Sequence, residues 1–288
     1  MTVPAGSPPQ SASTACVRHP DRPTALTCSR CGRPSCPDCL REAAVGHQCV
    51  DCVHGAAREV RRGTTVAGAP VGLRPLVVPV LVLVNLVAFA VTAAQAGSVT
   101  ANYYSDLFER YALVPELVGA GEWWRLVTSG FLHIGPLHIA FNMYALWIIG
   151  RDMEVLLGRG RFLAVYVLGM LGGSAAVMWL QPGALVAGAS GAVFGLMGGL
   201  LVAVLRLRLP YGQVLGLLAV NLALGFFVAG ISWQAHIGGL LAGAAATAVL
   251  LYAPAARRAP VQAGGLAALA VVVLAVIGVA ALLQPALL

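Results

Sequence analysis

The sequence predicts an all-α polytopic membrane protein, a bundle of seven transmembrane helices preceded by a small metal-binding module. Three observations predict it. Of 288 residues, 59% are hydrophobic and only 10% charged, where a soluble globular domain carries about 25% charged residues. Long apolar runs dominate from Leu73 onward. All seven cysteines lie before that point, in close pairs, together with five of the eleven acidic residues. The formal charge of +7 does not point to nucleic acid. Every basic residue is arginine, and the arginines stand at the ends of apolar segments, as in membrane proteins.

The chain opens with a polar, Pro/Ser-rich stretch, 1–15, read as a disordered leader. It has no apolar core of a secretory signal, so the N-terminus is expected in the cytoplasm. Four pairs follow: Cys16/His19, Cys28/Cys31, Cys36/Cys39 and Cys49/Cys52. A two-residue gap lets both side chains of a pair reach one ion from a tight turn, and eight ligands suffice for two tetrahedral zinc sites. The alternative is a disulfide module. It meets an odd cysteine count, a histidine that completes the pattern, and a compartment expected to be reducing. About 40 residues are also too few to fold on an apolar core alone, so metal is the expected source of stability. His47 and His54 are substitute ligands of lower rank. The module is bounded at 16–54, and 55–72 reads as a linker.

Seven runs approach the roughly 20 residues that a crossing helix needs. They fall at 74–94, 134–150, 161–181, 190–206, 212–230, 235–252 and 262–284. Arg58, Arg61, Arg62 and Arg74 precede the first. Arg151, Arg159 and Arg161 separate the second and third. Arg206 and Arg208 follow the fourth, and Arg257 and Arg258 the sixth. With a cytoplasmic N-terminus all of these share the inner side, as the positive-inside rule requires. The C-terminus then lies outside. Arg110 and Arg125 alone fall outside, in a loop that also holds Asp106, Glu109, Glu116 and Glu122.

That count has a chemical consequence. The second, fourth and sixth spans all run from the outer face inward. His138 and Asn142 open the second, Ser190 the fourth and His236 the sixth. Four polar residues from three helices therefore share one depth, and polar groups inside a membrane are functional candidates. Ser190 stands at a helix N-terminus, whose free N–H groups suit a developing oxyanion. His236 is a competent base near neutral pH. The fourth to sixth spans contain no acid, so a Ser–His dyad is the arrangement they can build. Gly191, Gly195 and Gly199 on one span, and Gly239 and Gly243 on another, permit close helix approach. Phe194, one turn after Ser190, is placed to pack on the imidazole. His138 and Asn142, at i and i+4, share a face and supply oxyanion donors. The competing reading of each residue is structural: Ser190 and Gly188 as small packing residues, and the others as inter-helix hydrogen bonders. His133 is expected nearer the surface.

Taken together, Gly188-Ala189-Ser190-Gly191, His236 with Gly239 and Gly243, His138-x-x-x-Asn142 and Trp124-Arg125 resemble the rhomboid family of intramembrane serine proteases. The resemblance spans 73–252, and 253–288 would hold the additional seventh span of a six-plus-one arrangement. It implies Ser190 as nucleophile, His236 as base, and an oxyanion hole of His138, Asn142 and the Ser190 N–H. It also implies Trp124 and Arg125 in a loop partly in the outer leaflet, the fifth span as a lateral gate, and Glu154 and Arg159 supporting the inner end of the second span. The N-terminal spacing resembles a B-box-type zinc finger. Such fingers are cross-braced, which implies Cys16, His19, Cys36 and Cys39 on one ion and Cys28, Cys31, Cys49 and Cys52 on the other, with an unnamed protein as partner. The implied substrates are membrane proteins cut in or near a transmembrane helix. A catalytically silent scaffold or chaperone is the alternative. A transporter would call for acids or arginines within spans, or matching repeats, and the sequence has neither.

Overall fold

In a computed structural model the described residues are 14–59, 63–227 and 230–284. The expected leader up to residue 13 and Arg61 and Arg62 lie outside them. The chain divides into two compact units, Met1–Arg62 and Gly63–Leu288.

The first unit pairs β1 (Thr14–Ala15) with β2 (Pro23–Thr24), and β3 (Leu40–Glu42) with β4 (His47–Cys49), both antiparallel. Thr14 and Ala15, expected in the leader, are thus in a strand. Helix α1 (Val50–Glu59) continues beyond the expected module boundary. The predicted linker is divided. Its later part, from Gly63, belongs to the second unit, where Ala67 and Ala69 are fully buried. This strap is pinned by Thr65 Oγ1 donating to Leu156 O (2.7 Å) and Gln262 Nε2 donating to Ala67 O (3.1 Å).

The second unit begins with α2 (Val77–Ala96). A loop with three short helices follows: α3 (Asp106–Tyr111), α4 (Pro115–Gly119) and α5 (Arg125–Thr128). Then come α6 (Gly135–Leu157), α7 (Arg159–Leu180), α8 (Ser190–Arg206), α9 (Gly212–Phe227), α10 (Trp233–Tyr252) and α11 (Arg258–Leu283). Each predicted span has its helix. By length and composition, α2, α7, α10 and the stretch Ala255–Leu283 can cross a membrane. Arg125–Phe131 and Gly135–Leu157, bent by 95° at the break between them, count as a fifth if the pair is taken as one span. Helices α8 and α9, at 17 and 16 residues, fall short of a full crossing. The second span is longer than expected: the helix runs on through Arg151, Asp152 and Glu154 to Leu157.

Glu154 explains that extension. It is fully buried, and its carboxylate accepts from the N–H groups of Leu76, Val77 and Val78 at 2.7, 2.9 and 2.9 Å. A helix leaves its first N–H groups without partners, and a carboxylate from α6 satisfies them for α2. Arg159 Nε lies 4.0 Å from the same carboxylate. The pair ties the C-terminal end of α6 to the start of α7.

The core of the second unit is a glycine seam. A Cβ on Gly239 would lie 2.0 Å from Gly191 O, and one on Gly243 2.2 Å from Gly195 O. Helices α8 and α10 therefore touch backbone to backbone, as small residues allow in membranes. Helix α7 joins the seam through glycines the sequence reading did not single out. A Cβ on Gly169 would lie 3.0 Å from Gly195 Cα, and one on Gly172 2.7 Å from Gly238 O. Residues 191–199 of α8 are buried without a break, whereas α9 buries only Leu218 and Gly225 among its described residues.

Candidate active site and metal clusters

Ser190 is the first residue of α8, and the turn before it is fixed from outside the helix. Gly188, at φ 133°, donates its N–H to Ser129 O (3.0 Å). Ala189 donates its N–H to His133 Nε2 (3.3 Å). Val186 and Leu113 exchange backbone hydrogen bonds at 2.9 Å, tying the same segment to the loop between α2 and α6. His133 is therefore fully buried rather than near the surface. Its ring is used to hold the backbone that presents Ser190. No spacing rule exposes that role, because the partner is a backbone N–H 56 residues away.

His236, at the start of α10, is buried, and its ring stacks on Phe194 with centroids 4.0 Å apart and planes 12° apart. The packing expected of Phe194 is present. His236 Nδ1 is buried without a hydrogen-bond partner. It faces Gly225 of α9, where a Cβ would lie only 3.1 Å away. Among the described residues, no hydrogen bond joins Ser190 Oγ to His236 or to any other group. Catalytic hydrogen bonds are often long without substrate and tighten in its complex.

His138 accepts at Nδ1 from the Ile134 N–H (3.3 Å). Accepting there leaves the ring proton on Nε2. A Cβ on Gly188 would lie 2.8 Å from His138 Nε2 and 3.7 Å from Ser190 Oγ, so the His138 donor and the Ser190 hydroxyl flank Gly188 together. Asn142 is buried, and its Nδ2 donates to His138 O (2.9 Å), which uses one of its two N–H groups. A cavity of about 20 Å³ touches Ser190, Gly188, Ser129 and Ala235, room for about one water. The larger cleft, about 370 Å³, lies at Arg110, Tyr111, Glu122, Trp124 and Arg125, and Ser190 does not line it.

Arg125 is buried and holds the loop between α2 and α6 in shape. It donates from Nε to Glu122 Oε2 (2.6 Å) and from Nη1 to Glu109 O and Ala112 O (both 2.7 Å). Trp124 is half-exposed, and its Nε1 donates to Arg110 O (3.2 Å).

In the first unit the ligand atoms of Cys16, His19, Cys36 and Cys39 lie within 4.8 Å of one another, as do those of Cys28, Cys31, Cys49 and Cys52. These are the two cross-braced sets that the finger resemblance implies. His19 Nδ1 is 3.3 Å from the sulfurs of Cys36 and Cys39, and the Cys31 and Cys49 sulfurs are 3.8 Å apart. Zn–S bonds of about 2.3 Å in a tetrahedron put neighbouring sulfurs about 3.8 Å apart, so the sets fit such an ion. All the cysteines are free thiols. The Cys28 thiol is pulled down to about 6, chiefly by a backbone hydrogen bond from Cys49, whose N–H lies 3.2 Å from the sulfur. A backbone hydrogen bond from Cys36 likewise brings Cys16 down to about 6. Burial pushes Cys39 up to about 11, and the Cys31 thiol holds Cys52 up to about 12, so each set mixes lowered and raised thiols; thiolate is the form that ligates metal.

Residues 120–253 match the Rhomboid domain family. The chain is 43% identical over 139 residues to the rhomboid protease GluP of Bacillus subtilis (strain 168), covering 46% of this chain and 27% of that protein. It is 36% identical over 150 residues to the mitochondrial RHOMBOID-like protein 6 of Arabidopsis thaliana, covering 48% and 47%. It is 35% identical over 130 residues to the Rhomboid-like protease 3 of Toxoplasma gondii, covering 42% and 49%. The chain thus spans about half or less of the length of each of these relatives. The domain match lies in the second unit, and together with these relatives it supports the rhomboid family for this multi-pass membrane protein.

Proposed function

We propose that this chain is an intramembrane serine endopeptidase acting on transmembrane proteins. The observation that carries the reading is the His236 ring, stacked on Phe194 one turn below Ser190, on two helices locked together at Gly191 and Gly239. Ser190 Oγ attacks the scissile carbonyl as its proton passes to His236 Nε2. The tetrahedral oxyanion is met by the His138 Nε2–H, the free Asn142 N–H and the Ser190 backbone N–H. Collapse returns the proton to the leaving amine and leaves an acyl-enzyme, which water hydrolyses. The stacked ring face of Phe194 steadies the imidazolium that forms between these steps.

Seven membrane helices, a cytoplasmic N-terminus, an outer C-terminus and a site opening to the outer face of the cell membrane form the matching topology. The arginine pattern supports it, and the buried, short α8 lets water reach its start. A loosely packed α9 suits lateral admission of a substrate helix. The two Cys/His sets would hold two structural zinc ions, with Cys16, His19, Cys36 and Cys39 on one and Cys28, Cys31, Cys49 and Cys52 on the other. Zinc there supplies folding energy, and catalysis needs no metal. We assign the finger to protein binding, and nucleic acid to neither unit.

The test uses purified full-length protein, a fluorophosphonate probe and a membrane-spanning reporter. Ser190→Ala and His236→Ala each lower cleavage at least ~10³-fold, as loss of either member of such a pair does. Ser190→Ala also abolishes probe labelling. Cleavage by Ser190→Ala equal to wild type would sink the protease reading and favour the silent scaffold.

A further inference from the structure

A second polar cluster lies at the opposite ends of the helices, where α7 and α11 begin. A Cβ on Gly68 of the strap would lie 3.0 Å from Arg258 Nη1 and 3.6 Å from Arg161 Nη2. Two guanidinium groups therefore converge on one turn of backbone. Neither has a carboxylate partner among the described residues. Glu154, the buried acid at this end, is occupied with the N-terminus of α2. Arg258 makes no hydrogen bond among the described residues, and its Nε is buried. Two like charges held together around an unsatisfied donor are costly unless an anion joins them.

The arrangement is built, not incidental. Arg161 Nε donates to Gln262 Oε1 (2.7 Å), and its Nη1 reaches Leu157 O (3.4 Å). The buried Gln262 in turn donates to Ala67 O (3.1 Å) and Leu250 O (2.8 Å). One glutamine thus fixes an arginine, the strap and α10 together. Arg161 keeps its Nη2 and Arg258 its whole guanidinium for a ligand.

We propose that Arg161 and Arg258 bind the phosphate of an anionic phospholipid in the leaflet on the arginine-rich side. Planar guanidinium forks match phosphate oxygens, and basic pockets between transmembrane helices at a cytoplasmic surface suit anionic headgroups. Lipid rather than free phosphate follows from what lies beside the arginines. Val261, one turn after Arg258 on the same face of α11, is an exposed apolar side chain that an acyl chain can cover. The site rests on the chain spanning a membrane and is independent of Ser190 and His236.

Native mass spectrometry of the full chain in detergent tests it, with phosphatidylglycerol and phosphatidylcholine offered in turn. The wild type retains phosphatidylglycerol over phosphatidylcholine. Arg161→Gln and Arg258→Gln each weaken that retention about tenfold, the loss expected for one charged hydrogen-bond partner. Arg208→Gln, at the same end but outside the cluster, leaves it unchanged. Arg258→Gln breaks no existing hydrogen bond, so it decides the matter if Arg161→Gln fails to fold. Equal retention of the two lipids, an equal loss in Arg208→Gln, or displacement of the lipid by inorganic phosphate would each overturn the assignment.

Discussion

The two units hold themselves together in opposite ways. In the first, the buried clusters are Cys16, Cys36 and Cys39, and Cys28, Cys49 and Leu40 with Cys52 packed on them. Leu40 and Val50 are its only buried hydrophobic side chains other than cysteine among the described residues. So little apolar burial cannot offset chain entropy, and the proposed metal ligation would supply what is missing. In the second, apolar side chains are plentiful, but in lipid they gain nothing by choosing one another over an acyl chain. Specific contact there comes from close backbone approach, at Gly191 with Gly239 and Gly195 with Gly243. One unit lacks a core; the other lacks a hydrophobic reason to associate. Sulfur and glycine are the respective answers.

The contrast can be broken from either side. The largest effect is expected from chelation. Under the proposed two-zinc reading, structural zinc contributes about 10–16 kcal/mol, so its removal unfolds the first unit, read as loss of amide dispersion in residues 14–59. Melting of the membrane unit stays where it was. A shift of both together would show that the units are not independent. Next comes Gly243→Val, which drives a side chain into the Gly195 backbone and costs about 3 kcal/mol of membrane-unit stability. Metal content per chain is unchanged. Glu154→Ala follows, at about 2 kcal/mol, because three N–H groups of α2 lose their acceptor. Hydrogen exchange at Leu76, Val77 and Val78 reads that loss directly. The smallest effect sharpens the contrast rather than breaking it. Phe194→Leu keeps most of the apolar volume and removes the ring face on His236. It lowers reporter cleavage about fivefold, the ~1 kcal/mol of an aromatic stack, with little change in melting.

Much of this was legible in the sequence, and the parts that were not share a cause. Helix positions follow from apolar length, so each predicted span has its helix. The ligand pairs follow from i, i+3 spacing, which is local, and their joining into two cross-braced sets is what the finger resemblance implies. Phe194 on His236 could be anticipated because helical periodicity puts position 194 over 190. His133 and Glu154 escaped in part because both act on backbone N–H groups of distant segments, and a backbone donor leaves no mark in residue types. The strap escaped for a similar reason. Ala67 and Ala69 look like linker residues, and only their burial beneath Gln262 reveals otherwise. The α7 glycines were unremarked because a three-helix seam needs all three partners in view before any one of them looks necessary.

The Cα of Gly225 beside His236 Nδ1 has a further meaning for the proposed chemistry. A side chain at that position would press on the ring, so position 225 contributes no acceptor. Among the described residues no group accepts a hydrogen bond from Nδ1. Under the dyad reading, each half of the reaction therefore moves a single proton through His236 Nε2, from Ser190 Oγ to the leaving amine in acylation and from water to Ser190 Oγ in deacylation. The relay is one link long, and a glycine on the neighbouring helix is what keeps it so.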